Sequence, residues 1–220
     1  IRADQAFRLT EERFGKIQNK KEIPKVHQVE PKQDGAKRLV IYKESEVEML
    51  ALTYRIPNFQ HKDQPALSAI SEMLSSGKSS RLYQSLVSEK RIANQIYAYN
   101  MENIDPGLFI FMAVCNPGIK AEEVEKEILH EIEKLTTSPV DEEELAKVKI
   151  GTKADFIYSL ESSSSVADLF GGYLARGDLD PLIHYEEHIN ALTPEEIQTV
   201  ALKYFNASQS TTVILRKEEK

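Results

Sequence analysis

Two runs set the terms for this chain. Residues 47–56 and 107–115 each place apolar side chains at alternating positions, the period of a strand with one face on a core. Because successive strand side chains point to opposite faces, both runs demand a common buried surface, and residues 38–43, 92–100 and 211–215 add three further strand-like segments. Asp105-Pro106-Gly107 stands between two of these runs. Proline presets φ and glycine accepts φ > 0, so a hairpin or meander is expected there.

Helical periodicity fills the gaps. The spacing of apolar residues predicts helices over 65–74, 80–90, 120–135, 141–160, 166–174, 181–192 and 193–205, with Ser75-Ser76-Gly77-Lys78 as a polar turn between the first two. Thr193-Pro194-Glu195-Glu196 combines a hydroxyl cap, proline at the first helical position and a glutamate able to reach back. The order strands, helices, strands, helices, strand predicts an α+β domain whose mostly antiparallel sheet carries helices on one face. The helix over 141–160 is expected to lie across the sheet.

Ahead of that domain, Ala3, Ala6, Phe7, Leu9 and Phe14 repeat at near-helical spacing, with Gly15 as a stop. Residues 18–35 turn polar, carry Pro24 and Pro31 and show no periodicity, which reads as a linker. The expected division is therefore a terminal helix over 1–17, a linker over 18–35 and the main domain over 36–220. The start at Ile1, without methionine, suggests a piece of a longer polypeptide.

A formal charge of -7 and scattered basic residues give no footprint for nucleic acid. No stretch approaches the length and apolarity of a membrane-spanning helix. The single cysteine, Cys115, excludes an internal disulfide, and its place at the end of an apolar run predicts a buried, inert thiol.

His184-Tyr185-Glu186-Glu187-His188 has the H-x-x-E-H spacing of inverted zinc peptidase sites. On a helix, His184 and His188 share a face, and Glu187 could serve as the base that deprotonates a zinc-bound water. A helical wheel argues against it. Leu179, Leu182, Ile183, Tyr185, Ile189 and Leu192 cluster in one direction, whereas the motif residues lie roughly 105° to 155° away, toward solvent. No third ligand is visible, so the motif is read as a chance pattern on a solvated helix and the chain is expected to hold no metal or other cofactor.

Taken in order, several stretches carry a resemblance. They are Gly77-Lys78-Ser79-Ser80-Arg81-Leu82-Tyr83, Leu86-Val87-Ser88-Glu89-Lys90, Ala98-Tyr99, Asp105-Pro106-Gly107-Leu108-Phe109, Val140-Asp141-Glu142-Glu143-Glu144-Leu145 with Lys149, Ser159-Leu160-Glu161-Ser162, and the run from Ile189 through Thr193-Pro194-Glu195-Glu196 to Phe205. Together they resemble the non-catalytic second half-domain of insulinase/pitrilysin-type zinc peptidases, a family that includes the mitochondrial processing peptidase. The opening helix through Phe14-Gly15-Lys16-Ile17 is similar to the end of the preceding half-domain.

The resemblance implies a half that encloses and positions peptide substrate against a zinc-bearing catalytic half, on the same polypeptide or a partner subunit. Zinc would belong to that other half. It also places the inverted motif in the first half-domain, not before the final helix. Many relatives supply an Arg and, seven residues later, a Tyr to the substrate and the developing oxyanion; here Val87 and Asn94 stand at those positions. Arg81 and Tyr99 are the candidate substrate-binding substitutes, with Tyr83 and Tyr97 close by. An acidic interior, which the net charge permits, would favour basic peptides. The other reading is a non-hydrolytic assembly or scaffold subunit related to the same family. A bacterial periplasmic or cytoplasmic setting is expected over a mitochondrial one.

Overall fold

The computed structural model describes residues 2–18 and 30–218, and the central stretch of the expected linker, residues 19–29, lies outside the described residues. The chain divides into two compact units, 1–32 and 33–220. In the first, helix α1 (Ala3–Phe14) buries no side chain, and Phe7, Leu9, Phe14 and Ile17 are exposed.

In the second unit, strands β1 (Lys37–Lys43), β2 (Met49–Ile56), β3 (Ala93–Asn100), β4 (Gly107–Cys115) and β5 (Thr211–Lys217) form one sheet in the order β1-β5-β2-β4-β3. Only the β1–β5 pairing is parallel. β2 pairs antiparallel with both β4 and β5, and β3 pairs antiparallel with β4. The two runs that demanded a shared surface are thus direct neighbours, with Leu50 opposite Ala113 and Leu52 opposite Phe111.

Helices α2 (Gln64–Ser75), α3 (Ala121–Thr137) and α8 (Pro194–Tyr204) cover one face of this sheet. Leu50, Leu52, Tyr54, Ile56, Phe109, Phe111 and Ala113 meet Leu67, Ile70, Leu74, Val124, Ile128 and Ile197 in the main core. Tyr54, Phe109, Phe111 and Phe205 form an aromatic cluster with ring centroids 5.0–6.3 Å apart, mostly edge to face, as the ring quadrupoles prefer. Burial and the neighbouring Glu125 push the Tyr54 phenol up to about 12.

Helix α4 (Glu142–Ser159) departs from expectation. It packs on α2 and α7 (Tyr185–Ala191), forming an outer layer with α5 (Ser163–Arg176) and α6 (Asp180–Ile183), rather than lying across the sheet. Leu145 and Thr152 are the residues it buries, while Ile150 and Ile157 are exposed. Its apolar residues are spread around the helix instead of forming the stripe that docking on a flat sheet needs. Phe59, Tyr173 and Leu182 make a small second core beneath this layer.

Three local features also differ from the sequence reading. The segment over 80–90 becomes a π-helical turn, Tyr83–Glu89, closed by Lys90 N–H donating to the Ser85 carbonyl five residues back (3.0 Å). The wider turn brings Leu82, Leu86 and Val87 all to the core. Residues 181–192 do not make one helix: the chain breaks at His184 (φ -95°, ψ 9°), between α6 and α7. Gly107 is required for closeness, not for a positive φ. A Cβ there would lie 2.3 Å from the Met101 carbonyl oxygen, and its φ is not among the positive ones.

Asp63 ties the start of α2 to the end of α8. Its Oδ2 accepts from Lys203 Nζ (2.6 Å) and from the Tyr204 hydroxyl (2.7 Å). Burial pushes the Asp63 carboxyl up, but these two hydrogen bonds and the nearby charges outweigh it and hold the carboxyl below its usual range. Since the folded pKa lies below the unfolded one, the resulting stability is full above the unfolded value and is lost as pH falls through the folded value.

Asp63→Asn should therefore cost about 1–2 kcal/mol near neutral pH, discounted for the solvent-screened lysine, or roughly 3–6 °C in Tm. Thermal melts of both proteins should converge as pH is lowered from about 5 toward about 2; a constant difference would assign the effect to something other than the ionised carboxylate. Deleting residues 1–17, which bury nothing, should change Tm by under about 4 °C, roughly 1 kcal/mol.

Candidate functional site

Among the described residues of this unit, helices close one side of the sheet and no helix of the same unit lies on the other. By strand register, Leu39 and Ile41 on β1, Val213 and Leu215 on β5, Met49 and Ala51 on β2, Leu108, Ile110, Met112 and Val114 on β4, and Tyr97 and Tyr99 on β3 all share this second face. Leu39, Ile41, Met49, Leu108, Met112, Tyr97 and Tyr99 are exposed large hydrophobic residues, and their neighbours Ile110, Val114, Val213 and Leu215 are half-buried. A continuous apolar surface crossing five strands exceeds the single exposed hydrophobes normal on any protein.

The charges sharing this face are basic. Lys37, Lys43, Arg55 and Lys217 fall on it by register. On the helix side, Arg38 donates to both oxygens of Glu125 (2.9 and 2.8 Å), and Arg216 to Glu48 and Glu122 (2.9 and 2.6 Å). Hydrogen bonding from Arg216, opposed by burial, holds the Glu122 carboxyl below its usual range.

The two substrate-binding candidates are not brought together. Tyr99 stands exposed on the open face of β3, beside Tyr97. Arg81 lies ahead of the π-helical turn, where its Nε donates to Glu144 Oε1 (2.7 Å) and its Nη2 to Glu144 Oε2, a bidentate pair that fastens this turn to α4. That hydrogen bonding raises the Arg81 pKa. Tyr99 and Arg81 line different surface clefts. Val87 is packed against the core, and Asn94 is exposed where β3 bulges between Ala93 and Gln95.

His184, Glu187 and His188 are all exposed. The imidazole rings of His184 and His188 lie 6.0 Å apart, but His184 sits at the break between α6 and α7, with Nδ1 3.2 Å from Glu187 and Nε2 3.6 Å from Asp180. Ile183, expected on the buried side of the helix, is exposed. Among the described residues no three His, Cys, Asp or Glu side chains are grouped to hold a metal ion. A hydrolytic zinc site needs three protein ligands and an orienting outer shell, so these residues do not fit the metal. Cys115 is buried, and desolvation followed by Glu48, Glu122 and Glu123 pushes its thiol up to about 11, leaving it protonated and unreactive.

The sequence reading passed over the open face. Its signal was present: β4 reads Gly-Leu-Phe-Ile-Phe-Met-Ala-Val-Cys, apolar at both parities, which is the pattern of a strand covered on both sides.

Comparison with known proteins agrees with this architecture. Residues 1–152 match the model of the peptidase M16 inactive domain. The zinc protease PqqE of Helicobacter pylori is 43% identical over 219 residues, spanning 98% of this chain and 49% of that protein. The crystal structure of a protease from Helicobacter pylori superposes with a TM-score of 0.94 at 44% identity, covering 98% of this chain and 53% of that one. A peptidase M16 inactive domain from Pseudomonas fluorescens shares the fold, with a TM-score of 0.73 at 15% identity over 90% of this chain and 47% of that one.

The chain belongs to the peptidase M16 inactive domain family: it is an inactive, C-terminal half of the M16 zinc protease type. It spans about half the length of PqqE and about a third of two other zinc proteases it is similar to. Among the described residues no helix is long and apolar enough to cross a membrane.

The exposed histidines generate a direct check. Dialysed against a chelator and then given one equivalent of Zn²⁺, the chain should hydrolyse no unstructured peptide, since two imidazoles without a third ligand hold zinc weakly and activate no water near pH 7. Turnover that disappears in the His184→Ala, His188→Ala double variant would place a zinc site here after all.

Proposed function

We propose that this chain is the substrate-enclosing half of a parent zinc metallopeptidase, closing against a catalytic half that supplies the zinc and holding an extended peptide in the space between them. The observation that carries this reading is the open sheet face. A sheet covered by helices on one side and apolar across five strands on the other suits a half built to face a second body. Closure of such a chamber excludes water and orients the peptide, contributions to rate that need no metal ligand from this half.

Within this reading Tyr99, with Tyr97, contacts substrate from β3, and Arg81 acts as a brace between the π-helical turn and α4. The apolar face with its basic rim suits peptides rich in apolar residues rather than basic ones. Residues 1–17 come from the preceding half-domain and the polar stretch through 35 links it to this one, although Gln33 already belongs to the sheet domain, donating to the Ser210 carbonyl (2.8 Å). The histidine pair takes no part in catalysis.

Peptidase assays on the parent protein test this directly. Met112→Asp, which puts a charge at the centre of the open face, should lower kcat/KM on an unstructured peptide by about tenfold or more, some 1.4 kcal/mol. His184→Ala with His188→Ala should leave it within about twofold, under roughly 0.5 kcal/mol. Equal activity of Met112→Asp and the wild type, with zinc bound, would remove the open face from the chamber. A parent that binds its partner half yet hydrolyses nothing would turn the reading to an assembly subunit.

A further inference from the structure

The two edges of the sheet, β3 and β1, are finished differently. Along β3, Met101 N–H donates to the Leu108 carbonyl of β4 (3.1 Å), so by the period of two the Ala98 carbonyl turns outward. There it accepts from Ser71 Oγ (2.7 Å) and Ser75 Oγ (3.0 Å) on α2, while the Asn100 side chain donates to Gln64 and Ser68 of the same helix (2.9 and 3.0 Å). The strand also bulges between Ala93 and Gln95. A covering helix and a bulge are two usual means by which an edge is closed to further pairing.

β1 has no such finish. Its residues pair with β5 in unbroken register from Lys37 to Lys43, without a proline or a bulge. Lys37 N–H donates to the Ser210 carbonyl (2.9 Å), and the Lys43 carbonyl accepts from Glu218 N–H (3.3 Å). The odd-numbered residues therefore turn their backbone groups to β5, and Arg38, Val40 and Tyr42 turn theirs outward, where no backbone partner meets them among the described residues. Leu39, Ile41 and Tyr42 are exposed. The strand is also preformed, since β5 holds its whole length and Arg38 ties it to Glu125 and Glu122 on α3, so pairing along it orders little that is not ordered already.

We propose that β1 docks an extended segment of a partner polypeptide as a sixth strand, and that the segment carries two alternating apolar residues between two acidic ones. Charge and period together select this occupant. On the open face β1 presents Lys37, Leu39, Ile41 and Lys43 in succession. Directly opposed residues on neighbouring strands interact most strongly, so the added strand matches with an acid at each end and apolar side chains between. Lys37 and Lys43 have no ion-pair partner among the described residues, whereas Arg38 is already engaged by Glu125 and Glu122. A second copy of this chain is the poorer fit: antiparallel pairing centred on Val40 sets Lys37 against Lys43 at both ends, and like charges directly opposite destabilise a strand pair. The inference does not rest on the peptidase reading. β1 lies four strand spacings, about 19 Å, from the β3 edge that carries Tyr97 and Tyr99, and an inactive parent would leave it intact.

The test is peptide binding to the whole 220-residue chain, followed by NMR of its backbone amides. The probe is acetyl-Glu-Thr-Val-Thr-Val-Thr-Glu-amide, and the control has lysine in place of both glutamates. The acidic peptide should saturate at about millimolar concentration or below, protecting the Arg38, Val40 and Tyr42 amides from exchange, and the lysine peptide should bind about tenfold more weakly or worse. Lys37→Glu with Lys43→Glu should reverse that preference. Tyr42→Pro removes one outward N–H without touching the ladder to β5 and should lose binding that Tyr42→Phe keeps. A control that leaves the protein unaltered uses two acidic peptides, N-methylated at alternate residues in opposite phase: one should fail to bind and the other should bind as the parent peptide does. Equal binding of the acidic and lysine peptides, equal binding of the two methylated peptides, or no saturation up to about 10 mM would overturn the proposal. So would a dimer of the chain itself that Tyr42→Pro dissociates, which would give the edge to a second copy.

Discussion

Strand β5 closes the domain. It is the last element in the chain and lies between the first two strands, parallel to β1 and antiparallel to β2. Among the described residues β1 has no other strand neighbour, so its pairing forms only once residues 211–217 have returned from far along the sequence. The side chains around it act at the same junction. Thr212 donates to Glu125 (2.8 Å), Arg216 bridges Glu48 on the β1–β2 connection to Glu122 on α3, and Gln33 donates to the Ser210 carbonyl. Closing so long a loop is entropically costly and slow, and the pairing offsets that cost only when β1, β2 and α3 are already near one another. The domain is therefore cooperative from end to end, and a truncation at residue 205 would release β1 as well as β5.

That closure also fixes what the domain can offer to another body. With β5 in place, the sheet presents five strands in continuous register, and the period of two sorts every side chain to one of two faces. Leu50, Leu52, Tyr54, Phe109 and Phe111 go to the helices, and Met49, Ala51, Leu108, Ile110 and Met112 go to the other side by the same geometry. The ion pairs sit on the helix side and along the sheet edge, where they hold α3 to the strands without placing charge in the middle of the open surface. Membership of the inactive-domain family and an apolar second sheet face are compatible for this reason. The fold of such a half positions a surface, and a surface needs no ligand set.

How much of this could be read from the residues depended on whether one segment alone decided the outcome. The strands were legible because alternation is local, and α8 was legible because Thr193 and Glu196 form a reciprocal cap that the structure reproduces, with Glu196 N–H donating to Thr193 Oγ1 (3.2 Å) and Thr193 N–H to Glu196 Oε2 (3.0 Å). The place of α4 was not legible. Its sequence is helical throughout, but what it packs against follows from α2 already occupying the sheet. The use of Gly107 was also hidden, since its value lies in the approach of the Met101 carbonyl rather than in its own turn. In the π-helical turn, the extra residue per turn answers the demand of Leu82, Leu86 and Val87 for one core, a demand that periodicity alone cannot reveal. The open face was legible in the double-sided apolar pattern of β4 and was passed over because alternation in β2 was the stronger local signal.

The histidine motif shows how little spacing alone fixes about geometry. H-x-x-E-H gains meaning when a continuous helix holds both rings on one side and another element brings a third ligand. Here α6 ends before His184, which caps the start of α7, while His188 lies within α7 and donates its backbone N–H to the His184 carbonyl (2.9 Å). Glu187 is turned to His184 rather than to a shared ligand, and Asp180 occupies the other ring nitrogen's side. The wheel argument reached the right exposure for His184, Glu187 and His188 although the helix is interrupted at His184, and it put Ile183, which is exposed, on the buried side. Exposure was robust because it rested on Leu182 and Ile189, which reach the interior from either side of the break. What the motif cannot supply, a converging third group in a partly dry pocket, is set by tertiary structure, and its absence among the described residues follows from an outer helical layer that points these side chains to solvent.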